Sequence, residues 1–207
     1  MKKLADAIRS SIRRYMRTIA RGLNSLSGGK LHPDAVTLFG LAMHVPIAWL
    51  IAVQHNWWAA ILLVVFGLFD TLDGELARLQ HRASERGMLL DASTDRMKEV
   101  LIYMGVAYAL TQGSTPSTAV WAVAVCGASL CVSYIKAKGE GAVASKKNIP
   151  HHELNRMFKD GVAPFEVRML LVVVGLLTGH VLLAVAIIAL LATYTAVQRL
   201  LLISRRL

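Results

Sequence analysis

Six apolar stretches dominate the chain and restrict what it can fold into. They span about residues 35–53, 57–77, 97–112, 116–135, 162–178 and 181–198. About 20 residues of α-helix cross a hydrocarbon core of ~30 Å, so the pattern predicts an all-α integral membrane protein with six transmembrane helices. The 207 residues are 55% hydrophobic and carry a formal net charge of +10. That composition fits a membrane protein with a basic face better than a soluble nucleic-acid-binding protein, so we expect a lipid bilayer and no nucleic acid as partner.

The basic residues are confined to alternate connections between the stretches. No lysine or arginine occurs in residues 54–56, 111–117 or 178–180. All 23 lie in the N-terminal segment, in residues 78–98, in residues 136–168 or after residue 198. The positive-inside rule therefore predicts that both termini and the two longer loops are cytoplasmic. Within the second of these loops, residues 139–160 contain Gly, Lys, Asn and a His-His pair and form the most loop-like part of the chain, so we expect a loop there.

The first 30 residues form a separate predicted element. Apolar residues recur every three or four positions from Leu4 to Leu23, with lysines and arginines between them. This pattern predicts a basic amphipathic helix that lies in the membrane interface and is attracted to anionic lipid, the alternative being a solvated basic tail. We therefore divide the chain into a juxtamembrane helix at residues 1–30 and a six-helix domain at residues 31–207.

Four aspartates lie at the predicted cytoplasmic ends of the second and third stretches: Asp70, Asp73, Asp91 and Asp95. A carboxylate in or near hydrocarbon is costly and by default marks a functional site. Asp70 and Asp73 share one helix face, as do Asp91 and Asp95. Converging carboxylates repel one another unless a cation lies between them, and oxygen-only ligands favour a hard ion. The pattern predicts a site for Mg²⁺ or Mn²⁺.

The residues around the aspartates favour a phosphorylated ligand. Gly74 and Ala77 leave room for a ligand near the helix backbone, Gly87 permits a tight entry into the next helix, and Arg78 offers a planar fork for phosphate oxygens. Three alternatives stay open at this point: an ion-paired solvated turn, a membrane prenyltransferase that binds a diphosphate, and a cation-coupled transporter. The transporter is disfavoured because the acids cluster at one end and the chain shows no internal repeat.

The run from Asp70 to Asp95 resembles the signature of the CDP-alcohol phosphatidyltransferase family, Asp-x2-Asp-Gly-x2-Ala-Arg-x8-Gly-x3-Asp-x3-Asp, with every defined position filled. The resemblance implies that Asp70, Asp73 and Asp91 hold the divalent metal, while Asp95 completes the metal site and acts as the base. It also implies that Asp34 to Thr37, at the start of the first stretch, touch the nucleotide. The residues implied to contact the CDP-lipid are Asp34, Ala35, Val36, Thr37, Asp73, Gly74, Ala77, Arg78, Ser84 and Gly87.

The implied reaction transfers a phosphatidyl group from CDP-diacylglycerol to an alcohol and releases CMP. The family resemblance also implies a homodimer in the plasma membrane of a prokaryote, with the active site open to the cytoplasm. Residues 91–96, 134–138 and 197–200 resemble segments of actinobacterial phosphatidylinositol-phosphate synthases. That likeness implies that Lys136, Arg168 and Arg199 bind the phosphate of inositol 1-phosphate. Glycerol 3-phosphate, the acceptor of a phosphatidylglycerophosphate synthase, is the alternative, and ordinary flanking charge is the other explanation of the three cations.

Overall fold

Long helices account for most of the chain. The computed structural model describes residues 2–147 and 163–205, with the side chains of residues 10–142 and 163–205, and contains no strand within them. The all-α prediction is confirmed there. The helices are α1 (Lys2–Leu26), α2 (Pro33–Ala52), α3 (Asn56–Gly67), α4 (Phe69–Leu79), α5 (Glu85–Thr111), a short 3-10 helix (Pro116–Ala119), α6 (Val120–Lys147), α7 (Phe165–Thr178) and α8 (Val181–Ser204).

Three helical segments of the described residues are long and apolar enough to cross a membrane: Pro33–Ala52, Pro116–Ala142 and Val181–Ser204. They correspond to the first, fourth and sixth predicted spans. The third predicted span lies within α5, whose first turns carry charged residues. The fifth begins at residue 162, outside the described residues, and continues into α7. The number six remains a prediction.

The second predicted span is divided into two helices. α3 ends at Gly67 and α4 begins at Phe69. Leu68 separates them, and its carbonyl accepts bonds from the amides of Thr71 and Leu72, both at 3.1 Å. Glycine is a weak helix former, which explains why the interruption falls there. The aspartates Asp70 and Asp73 therefore lie in the first turns of a separate helix.

The predicted loop at residues 139–160 is wrong for its first part, because α6 continues to Lys147. Residues 148–160 lie outside the described residues. A Cβ on Gly139 would collide with the side chain of Ile203 on α8. The glycine thus permits close packing of two helices, a role that composition alone does not distinguish from a loop.

The chain forms two compact units. The first comprises Met1–Trp49 and Ile61–Ile102. In it α1 packs on α4, with Met16 and Ala20 buried against Leu72 and Leu76. The apolar face of α1 is thus covered by protein along this part of the helix, while Arg14 and Arg21 are exposed.

The second unit comprises Leu50–Ala60 and Tyr103–Leu207. α6 packs along α8, around a core of Val132, Ala192 and Ala196, and α7 also packs on α8. Small residues bring α7 and α8 close together. A Cβ added to Gly175 would lie 2.5 Å from the Cβ of Ala184.

This close approach makes Gly175 a test of the packing in the second unit. We expect Gly175→Ala to lower the free energy of unfolding by about 1–3 kcal/mol, because the added methyl group overpacks the α7–α8 contact. Thermal unfolding in detergent measures the effect. The control is Gly127→Ala in α6, where an added Cβ meets nothing within 4 Å and alanine should be neutral or slightly stabilising. Equal behaviour of the two variants would contradict the packing.

Candidate functional site

A cavity of about 370 Å³ lies within the first unit, among α1, α2, α4 and the start of α5. Most residues singled out by the sequence signature line it. The predicted site residues on its wall are Asp34, Thr37, Asp70, Asp73, Gly74, Ala77, Arg78, Ser84, Gly87 and Asp91. The helices thus bring together side chains from positions 34 to 91 of the chain around one space.

Two residues of the segment from Asp34 to Thr37 lie off the cavity wall. Asp34 and Thr37 line the cavity and are one helical turn apart, so they share a face of α2. Val36 is buried in the hydrophobic cluster with Met16, and Ala35 is exposed. The resemblance treated this segment as a unit, whereas helical periodicity divides it between the cavity, the core and the surface.

Three of the four predicted metal ligands converge. Carboxylate oxygens of Asp70, Asp91 and Asp95 all lie within 4.8 Å of one another. Oδ1 of Asp91 is buried and has no hydrogen-bond partner. A buried acceptor without a partner destabilises the folded state unless a ligand binds to it. An all-oxygen donor set with one unpartnered buried oxygen fits a hard divalent cation.

Asp73 has a different partner. Its Oδ2 accepts a hydrogen bond of 2.5 Å from the Thr37 hydroxyl, and the residue is 6% exposed. This bond joins α4 to α2. Asp73 lies on the cavity wall, outside the group of three converging carboxylates.

A lysine that sequence reasoning missed lies against the carboxylates. The Lys98 side chain is 1% exposed, and its Nζ contacts Asp70 and, at 3.5 Å, Oδ1 of Asp95. Its position three residues after Asp95 on α5 is the signal that places it on the same helix face. The ammonium supplies part of the positive charge that these partly buried carboxylates require.

Electrostatic repulsion acts on the carboxylates of α5. Asp91 and Asp95 precede residue 97, where the third predicted span begins. Burial, followed by the charge of Asp70, raises the pKa of both groups above the ordinary aspartate value, and Asp91 raises the pKa of Asp95 further. The positive charges of Lys98 and Arg96 offset this only in part. A cation between the carboxylates would favour their charged forms.

Arginines form another part of the cavity wall. Arg13 from α1, Arg78 from α4 and Arg82 all line it. Of these, the signature includes only Arg78. Arg13 lies on α1 three residues before Met16, and Met16 packs on α4. Its position next to the apolar face of the amphipathic helix is the sequence feature from which a role at the site could have been predicted. Guanidinium groups beside a carboxylate cluster suit a ligand that carries both phosphate oxygens and a bound cation.

The three cations predicted to bind the acceptor phosphate lie in the second unit. Arg168 is 1% exposed and donates to the carbonyl of Ala163 at 2.8 Å. Arg199 is 7% exposed and donates to the carbonyl of Val132 at 3.2 Å, while its buried Nε has no hydrogen-bond partner. Lys136 lies 3.6 Å from the carboxylate of Glu140.

Glu140 links these cations, although the sequence did not indicate it. The charges of Arg168 and Glu140 both act on Arg199, so the three groups share one electrostatic environment. Glu140 thus lies beside Lys136, and its charge also reaches Arg199.

Residues 30–199 match the sequence model of the CDP-alcohol phosphatidyltransferase family, and the chain belongs to that family. The phosphatidylinositol phosphate synthase of Mycobacteroides abscessus is 32% identical to it over 131 residues, which cover 60% of each chain. That of Corynebacterium glutamicum is 35% identical over 116 residues, which cover 55% of this chain and 53% of the relative. The chain thus spans little more than half the length of these curated relatives.

The same fold occurs in a solved structure. The crystal structure of Mycobacterium tuberculosis phosphatidylinositol phosphate synthase with CDP-DAG bound superposes with a TM-score of 0.77 at 25% sequence identity. The match covers 92% of this chain and 94% of that one. The family resemblance drawn from the signature is therefore confirmed.

Lys98 provides a test of the metal site that is independent of activity. Lys98→Met removes the ammonium from partly buried carboxylates, so we expect a loss of unfolding free energy without divalent cations that stays below the ~3–5 kcal/mol of a fully buried pair. A cation that binds the native state stabilises it. Because the variant lacks the ammonium that offsets the carboxylates, addition of Mg²⁺ or Mn²⁺ should raise its unfolding temperature more than that of the wild type. Thermal unfolding in detergent, with and without metal, measures both effects.

The control for this test is Lys30→Met, which removes an exposed lysine from the same unit. It should keep the wild-type stability and the wild-type response to metal. Wild-type, control and Lys98→Met proteins whose unfolding temperatures all fail to rise with divalent cations would contradict a metal site at these carboxylates.

Proposed function

We propose that the protein is a divalent-metal-dependent phosphatidyltransferase that releases CMP from CDP-diacylglycerol. The observation that carries the proposal is the cavity in which ten predicted site residues from α2, α4, the α4–α5 connection and α5 share one wall. Family membership and the names of the relatives support it. A membrane prenyltransferase or a transporter is disfavoured, because neither accounts for the complete signature.

In this proposal the carboxylates and the arginines have different tasks. Asp70, Asp91 and Asp95, with Asp73 beside them, would hold Mg²⁺ or Mn²⁺. The bound cation would neutralise the diphosphate and stabilise the leaving CMP. Arg78 binds diphosphate oxygens, a task to which its planar fork is suited. The remaining cavity residues of α2 and the α4–α5 connection contact the nucleotide: Asp34, Thr37, Ser84 and Gly87.

The reaction is a displacement at the β-phosphate. The acceptor hydroxyl oxygen forms a new bond to that phosphorus, and the bond from phosphorus to the bridging oxygen breaks. CMP leaves with the bridging oxygen, and the hydroxyl proton passes to the carboxylate of Asp95 as general base. No covalent intermediate with the protein is required.

The acceptor in this proposal is a phosphorylated alcohol, namely inositol 1-phosphate. The support is the buried cluster of Arg168 and Arg199 near Glu140 and Lys136. The buried Nε of Arg199 has no hydrogen-bond partner within the protein, and a phosphate oxygen would satisfy it. Glycerol 3-phosphate is the second candidate, because it presents the same phosphate, whereas serine or free inositol would leave this positive charge unused.

The membrane arrangement completes the proposal. We infer six spans, with both termini, the basic loops and the active site on the cytoplasmic side of a prokaryotic plasma membrane. The distribution of the 23 lysines and arginines supports this topology. Residues 1–30 would form the interfacial helix and residues 31–207 the catalytic domain, and the protein would act as a homodimer.

The catalytic assignment is tested by CMP release. With CDP-diacylglycerol and an acceptor, we expect release with Mg²⁺ or Mn²⁺ and none with chelator. Asp95→Asn should abolish turnover and largely preserve CDP-lipid binding, because it removes the base. The matched control is Glu85→Gln, an exposed carboxylate on the same helix, which should retain activity. Turnover that survives chelation, or transfer of a prenyl group, would overturn the assignment.

The acceptor assignment is tested by comparing four acceptors: inositol 1-phosphate, glycerol 3-phosphate, serine and free inositol. Arg199→Ala should raise the KM for the phosphorylated acceptor roughly 10–100-fold, since a charge-assisted hydrogen bond contributes ~1.5–3 kcal/mol. The KM for CDP-diacylglycerol should change little. Arg205→Ala, an exposed arginine on the same helix end, is the control. A neutral or zwitterionic best acceptor would contradict the assignment.

A further inference from the structure

Glu75 occupies a position that the signature leaves undefined, yet its side chain is only 3% exposed. Each of its carboxylate oxygens pairs with a different arginine. Oε2 accepts from Nε of Arg17 at 2.9 Å, and Oε1 accepts from Nη2 of Arg78 at 2.7 Å. A single carboxylate therefore joins α1 to the arginine of the signature.

The bridge determines where the Arg78 guanidinium lies. The Arg78 side chain folds back along α4, and its Nη2 would lie 3.5 Å from a Cβ added to Gly74. Arg78 keeps 55% of its side chain exposed and lines the cavity. A flexible arginine held by a buried carboxylate loses less conformational entropy when it binds a phosphate.

The same bridge brings α1 to the site. Arg17 lies one helical turn after Arg13, which is itself a cavity residue. The neighbouring apolar residues Met16 and Ala20 are buried against α4. α1 is thus attached to α4 by both apolar packing and the Arg17–Glu75 ion pair, and this attachment places Arg13 on the cavity wall.

We propose that Glu75 is a positioning residue for CDP-lipid binding: it orients Arg78 toward the diphosphate and, through Arg17, makes helix α1 a part of the donor site. This inference rests on the proposed function, in which Arg78 binds the donor. It differs from a purely structural role, in which the bridge would hold α1 on α4 without affecting substrate affinity.

The kinetic consequences separate the two roles. We expect Glu75→Gln to raise the KM for CDP-diacylglycerol about tenfold and to leave the acceptor KM within about twofold, since the acceptor is proposed to bind through other side chains, Lys136, Arg168 and Arg199. Arg17→Ala should raise the same KM by a smaller factor, and Arg17→Lys should restore part of it. The control is Arg14→Ala, an exposed arginine on the same helix, which should match the wild type.

A double-mutant cycle tests whether Glu75 acts through Arg78. In an Arg78→Ala background, Glu75→Gln should raise the KM for CDP-diacylglycerol no more than Arg17→Ala does, because the arginine that it orients is absent and only the contact with α1 is left to lose. Additive effects would overturn the proposal. So would a Glu75→Gln variant that unfolds at a lower temperature but keeps the wild-type KM. If Glu75→Gln does not fold, the donor KM of the Arg17 variants tests the proposal instead. The Arg17 side chain is 55% exposed, so its replacement should leave the protein folded.

Failure of this inference is distinguishable from failure of the proposed function. Wild-type protein that releases no CMP with any acceptor overturns both. Wild-type protein that is active, together with Glu75 and Arg17 variants whose donor KM is unchanged, overturns the positioning role alone. Three results together support it: a selective rise in the donor KM in Glu75→Gln, a smaller rise in Arg17→Ala, and a Glu75→Gln effect that falls to that smaller size in the Arg78→Ala background.

Discussion

The first unit is organised by the electrostatic cost of placing like charges together. Asp70, Asp91 and Asp95 have carboxylate oxygens within 4.8 Å of one another, in a largely apolar chain. Such a group is stable only with nearby positive charge. Lys98 supplies one charge from within α5, and a divalent cation is the ligand that best completes the rest. α4 and α5 both contribute carboxylates to the cluster, so the packing of these two helices is coupled to the charge balance at the site.

The same electrostatic requirement explains the arrangement of the arginines. Arg13, Arg78 and Arg82 lie on the wall of the cavity that Asp70 and Asp91 also line. A ligand that binds there meets a cation site and guanidinium groups together, which is the pattern that a metal-bound diphosphate matches. Glu75 differs from the signature aspartates. It is buried between two arginines and therefore orients charge instead of binding metal.

Helical periodicity explains which predicted contacts the structure brings to the cavity. Asp34 and Thr37 lie one turn apart and reach it, while Val36 between them belongs to the core. Thr37 also donates to Asp73, so a cavity residue of α2 orients a signature carboxylate of α4. The division of the second apolar stretch at Leu68 has a different, local cause. Gly67, a weak helix former, precedes the point where the apolar sequence gives way to aspartates.

The sequence by itself determined the helical class, the signature residues and the family, because apolar periodicity and a motif within 26 residues are local features of the chain. It also indicated the carboxylate cluster, since Asp70, Asp73, Asp91 and Asp95 lie near the facing ends of consecutive helices. Only the tertiary structure decided that Lys98 contacts Asp70, that Glu75 pairs with Arg17 and that Arg13 lines the cavity. These partners are separated by 28 and 58 residues in the two pairs. Their approach depends on how α1, α4 and α5 pack, and helix packing depends on side-chain shape, which local sequence patterns do not specify.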